Sequence, residues 1–236
     1  MKRIIMMILR NIFYVPYALI KLRWYLAHKD RYSEEEINEF FKDICRHAVR
    51  GGNINIEMTG AEKLPGKTGF MLFPNHQGMF DVLALILACP YPLTVVAKKE
   101  TESIPIVRSI LKLMGAQLID REDLRQSMNV INTVAKETKE GRNYIIFAEG
   151  TRSRNGNHLL EFKGGSFKAA TKAGCDIVPV ALVDSYKAFD TGSIKKIDIK
   201  VFILDPITPE EYKGKSTVEI AETVKTRIEK VIENYY

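Results

Sequence analysis

Seven short apolar runs, at residues 53–58, 70–73, 93–97, 116–119, 144–147, 177–183 and 197–204, are spaced along the chain by longer segments with helical patterning. Runs of four to eight apolar residues bounded by turn formers read as buried strands, and apolar residues recurring at three and four read as amphipathic helices. The helical segments fall at 79–88, 106–114, 123–140, 166–173 and 217–233, and Ser33 with Glu36 forms a capping-box pattern that opens a further helix to about residue 50. Such alternation predicts one α/β domain, a largely parallel or mixed sheet flanked by helices. At 236 residues the chain is long enough to bury a substantial core, and no repeat, linker or low-complexity tract divides it.

Polar side chains concentrate where runs end. Asn75-His76-Gln77-Gly78-Met79-Phe80-Asp81 lies between the strand at 70–73 and the apolar helix that follows, and sheet-to-helix loops are where α/β proteins usually place functional groups. Five residues along one regular helix rotate a side chain by about 500°, which would point His76 and Asp81 apart. With His76 still in the loop and Asp81 in the first helical turn, they can meet. The carboxylate would then fix the imidazole tautomer and stabilise the imidazolium formed when His76 takes a proton. The alternative is that Asn75 and His76 cap the helix and Asp81 is a solvated acid favoured by the helix dipole.

Two more clusters follow the same rule. Glu149-Gly150-Thr151-Arg152-Ser153 ends the strand at 144–147, and Arg121 follows the run at 116–119. A guanidinium is a planar fork suited to phosphate, and Thr151 with nearby backbone N–H groups can add neutral donors. The glycines after Lys163 could bring backbone N–H groups to a phosphate, or could simply turn the chain into the next helix.

In this order the clusters resemble the glycerolipid acyltransferases typified by 1-acyl-sn-glycerol-3-phosphate (lysophosphatidic acid) acyltransferase. The resemblance spans residues 63–183. Asn75, His76 and Asp81 carry NHxxxxD, and Gly115 to Arg121 carry the glycine-to-arginine block. Phe147-Ala148-Glu149-Gly150-Thr151-Arg152 carries FPEGTR, and Ile177-Val178-Pro179-Val180-Ala181 carries the apolar strand around a proline. Ala148 stands where the family usually has proline. Where the family often has KxxLxxxPxxG, Lys98, Thr101, Pro105 and Arg108 occupy the four places, with Arg108 in place of glycine.

The resemblance implies direct acyl transfer. His76, oriented by Asp81, would deprotonate the sn-2 hydroxyl of lysophosphatidic acid, which would attack a fatty-acyl thioester of coenzyme A or of acyl-carrier protein. Phosphatidic acid would form without an acyl-enzyme. Asn75, Arg121, Glu149, Gly150, Thr151 and Arg152 would form the substrate site, with Lys98 as a further cation near the phosphate or the developing oxyanion. No cofactor and no metal are called for. Glycerol-3-phosphate or another lysophospholipid as acceptor stays open, as does a non-catalytic lipid-binding protein, although a binder has no need of His76 and Asp81.

The first 31 residues have a different character from the remaining 32–236. Residues 1–31 hold seven Lys or Arg and one acid, leaving 28 of each sign elsewhere, so this segment carries the whole formal net charge of +6. Its longest stretch lacking charged or amide side chains is nine residues, 12–20, whereas a membrane-spanning helix needs about 20. Arg3, Arg10, Tyr14, Tyr17, Lys21 and His28 fall on one helical stripe with apolar residues around it, and Pro16 would kink or divide the helix. The segment therefore reads as an amphipathic helix in the bilayer interface, drawn to anionic lipid, with Trp24 and the tyrosines at headgroup depth, the alternatives being an uncleaved signal-like segment, a true span or a helix packed on the body. This predicts a monotopic protein on the cytoplasmic face of the cell membrane.

Cys45, Cys89 and Cys175 form no metal-ligand spacing and read as free thiols in a reducing compartment, and His28, His47 and His158 lack nearby ligand pairs. Basic excess confined to an apolar segment argues against nucleic-acid binding.

Overall fold

The computed structural model describes residues 2–235, so Met1 and Tyr236 of the expected segments lie outside it. In chain order the main elements are α1 (Lys2–Arg10), α2 (Tyr14–Ala27), α3 (Glu34–Gly51), β1 (Ile54–Thr59), β2 (Met71–Pro74), α4 (Asp81–Ala88) and β3 (Thr94–Lys98). Then come α5 (Pro105–Met114), β4 (Gln117–Ile119), α6 (Leu124–Lys139), β5 (Tyr144–Ile145), α7 (Lys168–Ala173), β6 (Ile177–Val183), β7 (Ile197–Ile203), α8 (Pro209–Tyr212) and α9 (Thr217–Ile232). Among the described residues these strands form one mixed sheet in the order β1-β7-β6-β2-β5-β3-β4. β6, β2, β5, β3 and β4 run parallel to one another, while β7 is antiparallel to β6 and parallel to β1.

The strand period sorts side chains to the two faces of the sheet. Met71 and Phe73 of β2 join a core with Val134, Phe167, Val224 and Ile228 from α6, the turn before α7, and α9. Leu72 and the preceding Phe70 join Phe80, Leu85 and Leu111 from the α4 and α5 side. A third cluster holds Leu22 and Tyr25 of α2 against Phe40 and Phe41 of α3 and Leu113 of α5. Ser33 closes the expected capping box with Glu36 at the start of α3. β5 is shorter than its apolar run: Phe147 and the residues after it leave the sheet to form the polar turn at its end.

The amino-terminal segment departs from one continuous helix. It breaks at residues 11–13, before Pro16, and α1 and α2 meet at 89°. Pro16 sits in the first turn of α2, where its missing N–H leaves no intrahelical bond unmade. Part of the polar stripe turns inward, while Arg10 and Tyr17 stay exposed. Arg3 is buried and donates to the carbonyls of Gly52 and Lys195. Tyr14 donates to Asp43 at 2.7 Å and stacks on His47, and the Lys21 ammonium lies over the rings of Tyr17, Tyr25 and Phe40. What faces outward is the apolar side, with Phe13 92% and Ile20 70% exposed beside Ile5, Ile8, Leu9 and Ile12. The reason is hydrogen-bond economy: the body offers carbonyls and a carboxylate to Arg3 and Tyr14 and a core seat to Met7, Leu22 and Tyr25, and leaves the remaining apolar surface exposed. Among the described residues no single helix is long and apolar enough to cross a membrane.

Candidate active site

All the clusters singled out from the sequence sit at the carboxyl ends of the five parallel strands, which makes them neighbours. Asn75 and His76 leave β2, Glu149 to Arg152 follow β5, Lys98 ends β3 and Arg121 follows β4. The loop after β6 closes the other side.

His76 and Asp81 meet. Imidazole Nδ1 lies 2.7 Å from Asp81 Oδ2, with the imidazole one-fifth exposed and the carboxylate fully buried. The same oxygen accepts the backbone N–H groups of Gln77 at 2.7 Å and Gly78 at 3.0 Å, so the loop wraps the carboxylate at the start of α4. Four donors, counting the Ser185 hydroxyl on Oδ1, compensate its burial. A carboxylate on Nδ1–H leaves Nε2 as the basic nitrogen. Phe147 stacks on the ring with centroids 3.9 Å apart, fixing its plane.

Asn75 is placed differently from a side chain free to hold substrate. It is buried, its Nδ2 donates to the carbonyl of Leu182 at 3.0 Å, and its Oδ1 accepts the Leu182 N–H at 2.7 Å. The amide thus continues the β2–β6 pairing beyond β2 and fixes where His76 emerges.

Glu149 is likewise spent within the protein. Its two oxygens accept the backbone N–H groups of His76 at 2.6 Å and Leu160 at 3.0 Å, tying the β2 loop to the segment after β5. A second tie runs from Ser153 N–H to the His76 carbonyl at 2.9 Å. Burial pushes the Glu149 carboxyl up to about 7; the two N–H bonds act against that, and the Asp81 charge reinforces it. A folded-state value above the unfolded one stabilises the fold fully below the unfolded value near 4.3, and this contribution is lost as pH rises through about 7. The stability of the wild type relative to Glu149→Gln is therefore expected to fall by about 3 kcal/mol between pH 5 and 8. Urea denaturation of both proteins at a series of pH values measures it, and a difference independent of pH would refute this reading of Glu149.

Gly150 has φ 76°, a conformation open to glycine at little cost. A Cβ built there would lie 3.2 Å from Lys163 Nζ and 3.3 Å from Arg121 Nη1, so two cations converge over this glycine. Among the described residues, neither they nor Arg152 form a side-chain hydrogen bond or ion pair within the protein. Thr151 is exposed beside them and Arg152 is half-buried. Like charges gathered over a bare backbone make a cradle for an anion. Lys163 was missed as a side chain in the sequence because it lies in a separate segment. Its N–H bonds to the carbonyl of Ala148 at 2.9 Å, and that bond brings it to the turn. Ala148, in the usual proline position, is fully buried in the core. Lys98 pairs instead with Glu100 at 2.9 Å, and Arg108 lies exposed on α5.

The chain is similar to known proteins over the region that carries these residues. The family profile described as Acyltransferase matches residues 55–183, from β1 to the end of β6. A 1-acyl-sn-glycerol-3-phosphate acyltransferase of Borreliella burgdorferi is 32% identical over 172 residues, 71% of this chain and 68% of the relative. One of Helicobacter pylori is 30% identical over 168 residues, 70% of this chain and 69% of the relative. In fold, the chain is similar to the crystal structure of the 1-acyl-sn-glycerophosphate (LPA) acyltransferase from Thermotoga maritima, with a TM-score of 0.75 at 20% identity. That match covers 94% of this chain and 88% of the other.

Proposed function

The chain belongs to the acyltransferase family, and from that premise we propose that it transfers a fatty-acyl group from an acyl thioester to the sn-2 hydroxyl of 1-acyl-sn-glycerol-3-phosphate, giving phosphatidic acid. The observation that carries the reading is the 2.7 Å contact of His76 Nδ1 with a buried, fully hydrogen-bonded Asp81, which leaves Nε2 as a base. Nε2 takes the hydroxyl proton as the oxygen attacks the thioester carbonyl. The tetrahedral intermediate then collapses, the C–S bond breaks, and the imidazolium returns its proton to the leaving thiolate. Asp81 stabilises the imidazolium in between. The reaction calls for no cofactor, no metal and no acyl-enzyme.

Arg121, Lys163 and Arg152 hold the phosphate, with Gly150 leaving room and Thr151 adding a neutral donor. Lys163 adds a cation beside Arg121 that the sequence reading did not name, and Lys98, at the end of β3 in an exposed ion pair with Glu100, stays a further cation of the site. Asn75 and Glu149 act as positioning residues: Asn75 sets the exit of the β2 strand, and Glu149 holds the His76 backbone.

The outward apolar face of α1 and α2 lies in the interface of an anionic, cytoplasmic membrane leaflet and brings the site to its lipid. Exposed Ile104 and Ile106 extend this surface to the start of α5, on the sheet end that carries the site. A cleft of about 200 Å³ lined by Met7, Val15, Leu19, Leu22 and Ile106 offers room for part of an acyl chain. Since Arg3, Leu22 and Tyr25 are buried in the body, the test is substitution of the outward face. Phe13→Glu with Ile20→Glu is expected to abolish co-sedimentation with phosphatidylglycerol vesicles while leaving the melting temperature within a few degrees, because exposed substitutions cost about 0.5 kcal/mol or less. Unchanged sedimentation would contradict the anchor.

Acceptor choice is tested by offering lysophosphatidic acid, glycerol-3-phosphate and lysophosphatidylcholine with one acyl-CoA, and then with acyl-carrier protein as donor. Lysophosphatidic acid is expected to be the fastest acceptor by at least about tenfold. Faster turnover of either competitor would move the assignment to that acceptor, and no product from any would favour a lipid-binding protein.

A further inference from the structure

The Asp81 carboxylate has a partner on its other oxygen that sequence reading did not single out. Ser185 opens the short helical turn Ser185–Ala188 after β6 and is fully buried. Its hydroxyl lies within hydrogen-bond reach of Asp81 Oδ1 and 3.0 Å from Gln77 Oε1. The single hydroxyl proton can serve one acceptor. The closer contact is to the carboxylate, and a charge-assisted bond is the stronger of the two. Gln77 Oε1 already accepts the Ser185 backbone N–H at 2.9 Å, and Gln77 Nε2 donates to Asn157 Oδ1 at 2.8 Å. Asn157 Oδ1 in turn accepts the Asp184 N–H at 2.8 Å, fixing the residue before Ser185.

We propose that Ser185 is a positioning residue of the acyl transfer, its hydroxyl saturating Asp81 Oδ1 so that Oδ2 faces His76 Nδ1, with Gln77 and Asn157 clamping the Ser185 loop. The buried amides have a geometric reason to be there. Gln77 sits between His76 and Gly78 in the loop that wraps Asp81, so its side chain ties that loop to the β6 loop. Without the Ser185 donor, Asp81 can rotate toward its remaining donors, and its charge is less shared. The imidazolium then holds its proton to higher pH, and Nε2 is aimed less well. Other charged groups around the loop are Glu149 on the His76 N–H, Asp184 paired with Lys187 at 2.7 Å, and Asp190, whose carboxylate lies beside Gly78. All three acids are kept in the variants.

This inference rests on the proposed reaction, and the test separates the two. Ser185→Ala and Ser185→Cys are compared with wild type by melting, by steady-state acylation of lysophosphatidic acid across pH, and by proton NMR of the imidazole N–H in ¹⁵N-histidine protein. Ser185→Ala is expected to lower kcat about 10- to 100-fold, by analogy with outer-shell partners that orient the ligands of metal sites. The KM for lysophosphatidic acid should stay within about twofold, the acid limb of the rate profile should move to higher pH, and the His76 N–H resonance should shift. Ser185→Cys keeps a donor on the same Cβ, larger and much weaker than the hydroxyl. It carries the test if the alanine variant fails to fold, with the same changes expected at smaller size. Folded variants with unchanged kcat, pH limb and resonance would overturn the proposal. A wild type that forms no phosphatidic acid would overturn the reaction instead, and the resonance would still report on Ser185.

Discussion

Replacing His76 with alanine is expected to lower kcat by about 10²–10⁴-fold, the contribution typical of a positioned general base, with little change in melting temperature. The small stability effect follows from placement. The ring is one-fifth exposed; its loss removes one bond to Asp81 and the stack on Phe147, while the backbone bonds of this residue, from N–H to Glu149 and from the carbonyl to Ser153 N–H, stay in place. Asp81 keeps three donors in the variant, from Gln77, Gly78 and Ser185, so no buried carboxylate is left unpaired. A structural histidine would give the reverse pattern, a lower melting temperature with activity reduced only in proportion to folded protein. Steady-state rates on protein shown folded by near-ultraviolet circular dichroism distinguish the two.

Removing the cations over Gly150 is expected to act on binding. A charge-assisted hydrogen bond to a charged group is worth about 1.5–3 kcal/mol, so Arg121→Met or Lys163→Met should each raise the KM for lysophosphatidic acid by about 10–100-fold. The double variant should raise it by less than the product. Arg121 and Lys163 repel one another in the empty cradle, and losing one relieves the other. Turnover at saturation should fall far less than KM rises, because the phosphate is not the reacting centre. The variants should discriminate less between lysophosphatidic acid and a neutral monoacylglycerol. Equal KM values in wild type and double variant would remove the phosphate from this cradle.

What the sequence revealed and what it hid divide along sequence separation. The His76–Asp81 pair lies five residues apart at a strand-to-helix junction, so local spacing sufficed to bring it together. Asn75 looked like a member of the same polar motif, but its partner, Leu182, is 107 positions downstream, and only sheet order turns the amide toward a neighbouring strand. Ser185 and Lys163 were hidden for the same reason: a single serine after a strand and a lysine before glycines carry no local signal. Glu149 was legible as part of a motif but not in role, since the N–H groups it accepts become visible only when two loops meet. At the amino terminus periodicity picked out polar residues of which Arg3, Tyr14 and Lys21 face the body, but it could not place the 89° break or say which side the body would take. Tyr14 to Asp43 and Arg3 to Gly52 decided that, turning the apolar side out. The strands were read to within a few residues because both faces of the sheet are covered by helices, which makes β2 and β6 apolar throughout.

The most direct test of the central claim follows the acyl group itself. Purified protein on vesicles containing 1-acyl-sn-glycerol-3-phosphate receives acyl-CoA with an isotopically labelled chain, and mass spectrometry reads the lipid and the intact protein together over the first turnovers. The account predicts phosphatidic acid with the label at sn-2, one free thiol released per molecule formed, and protein of unchanged mass throughout. A labelled protein adduct appearing before product, or label at another position of the lipid, would contradict direct transfer with His76 as base.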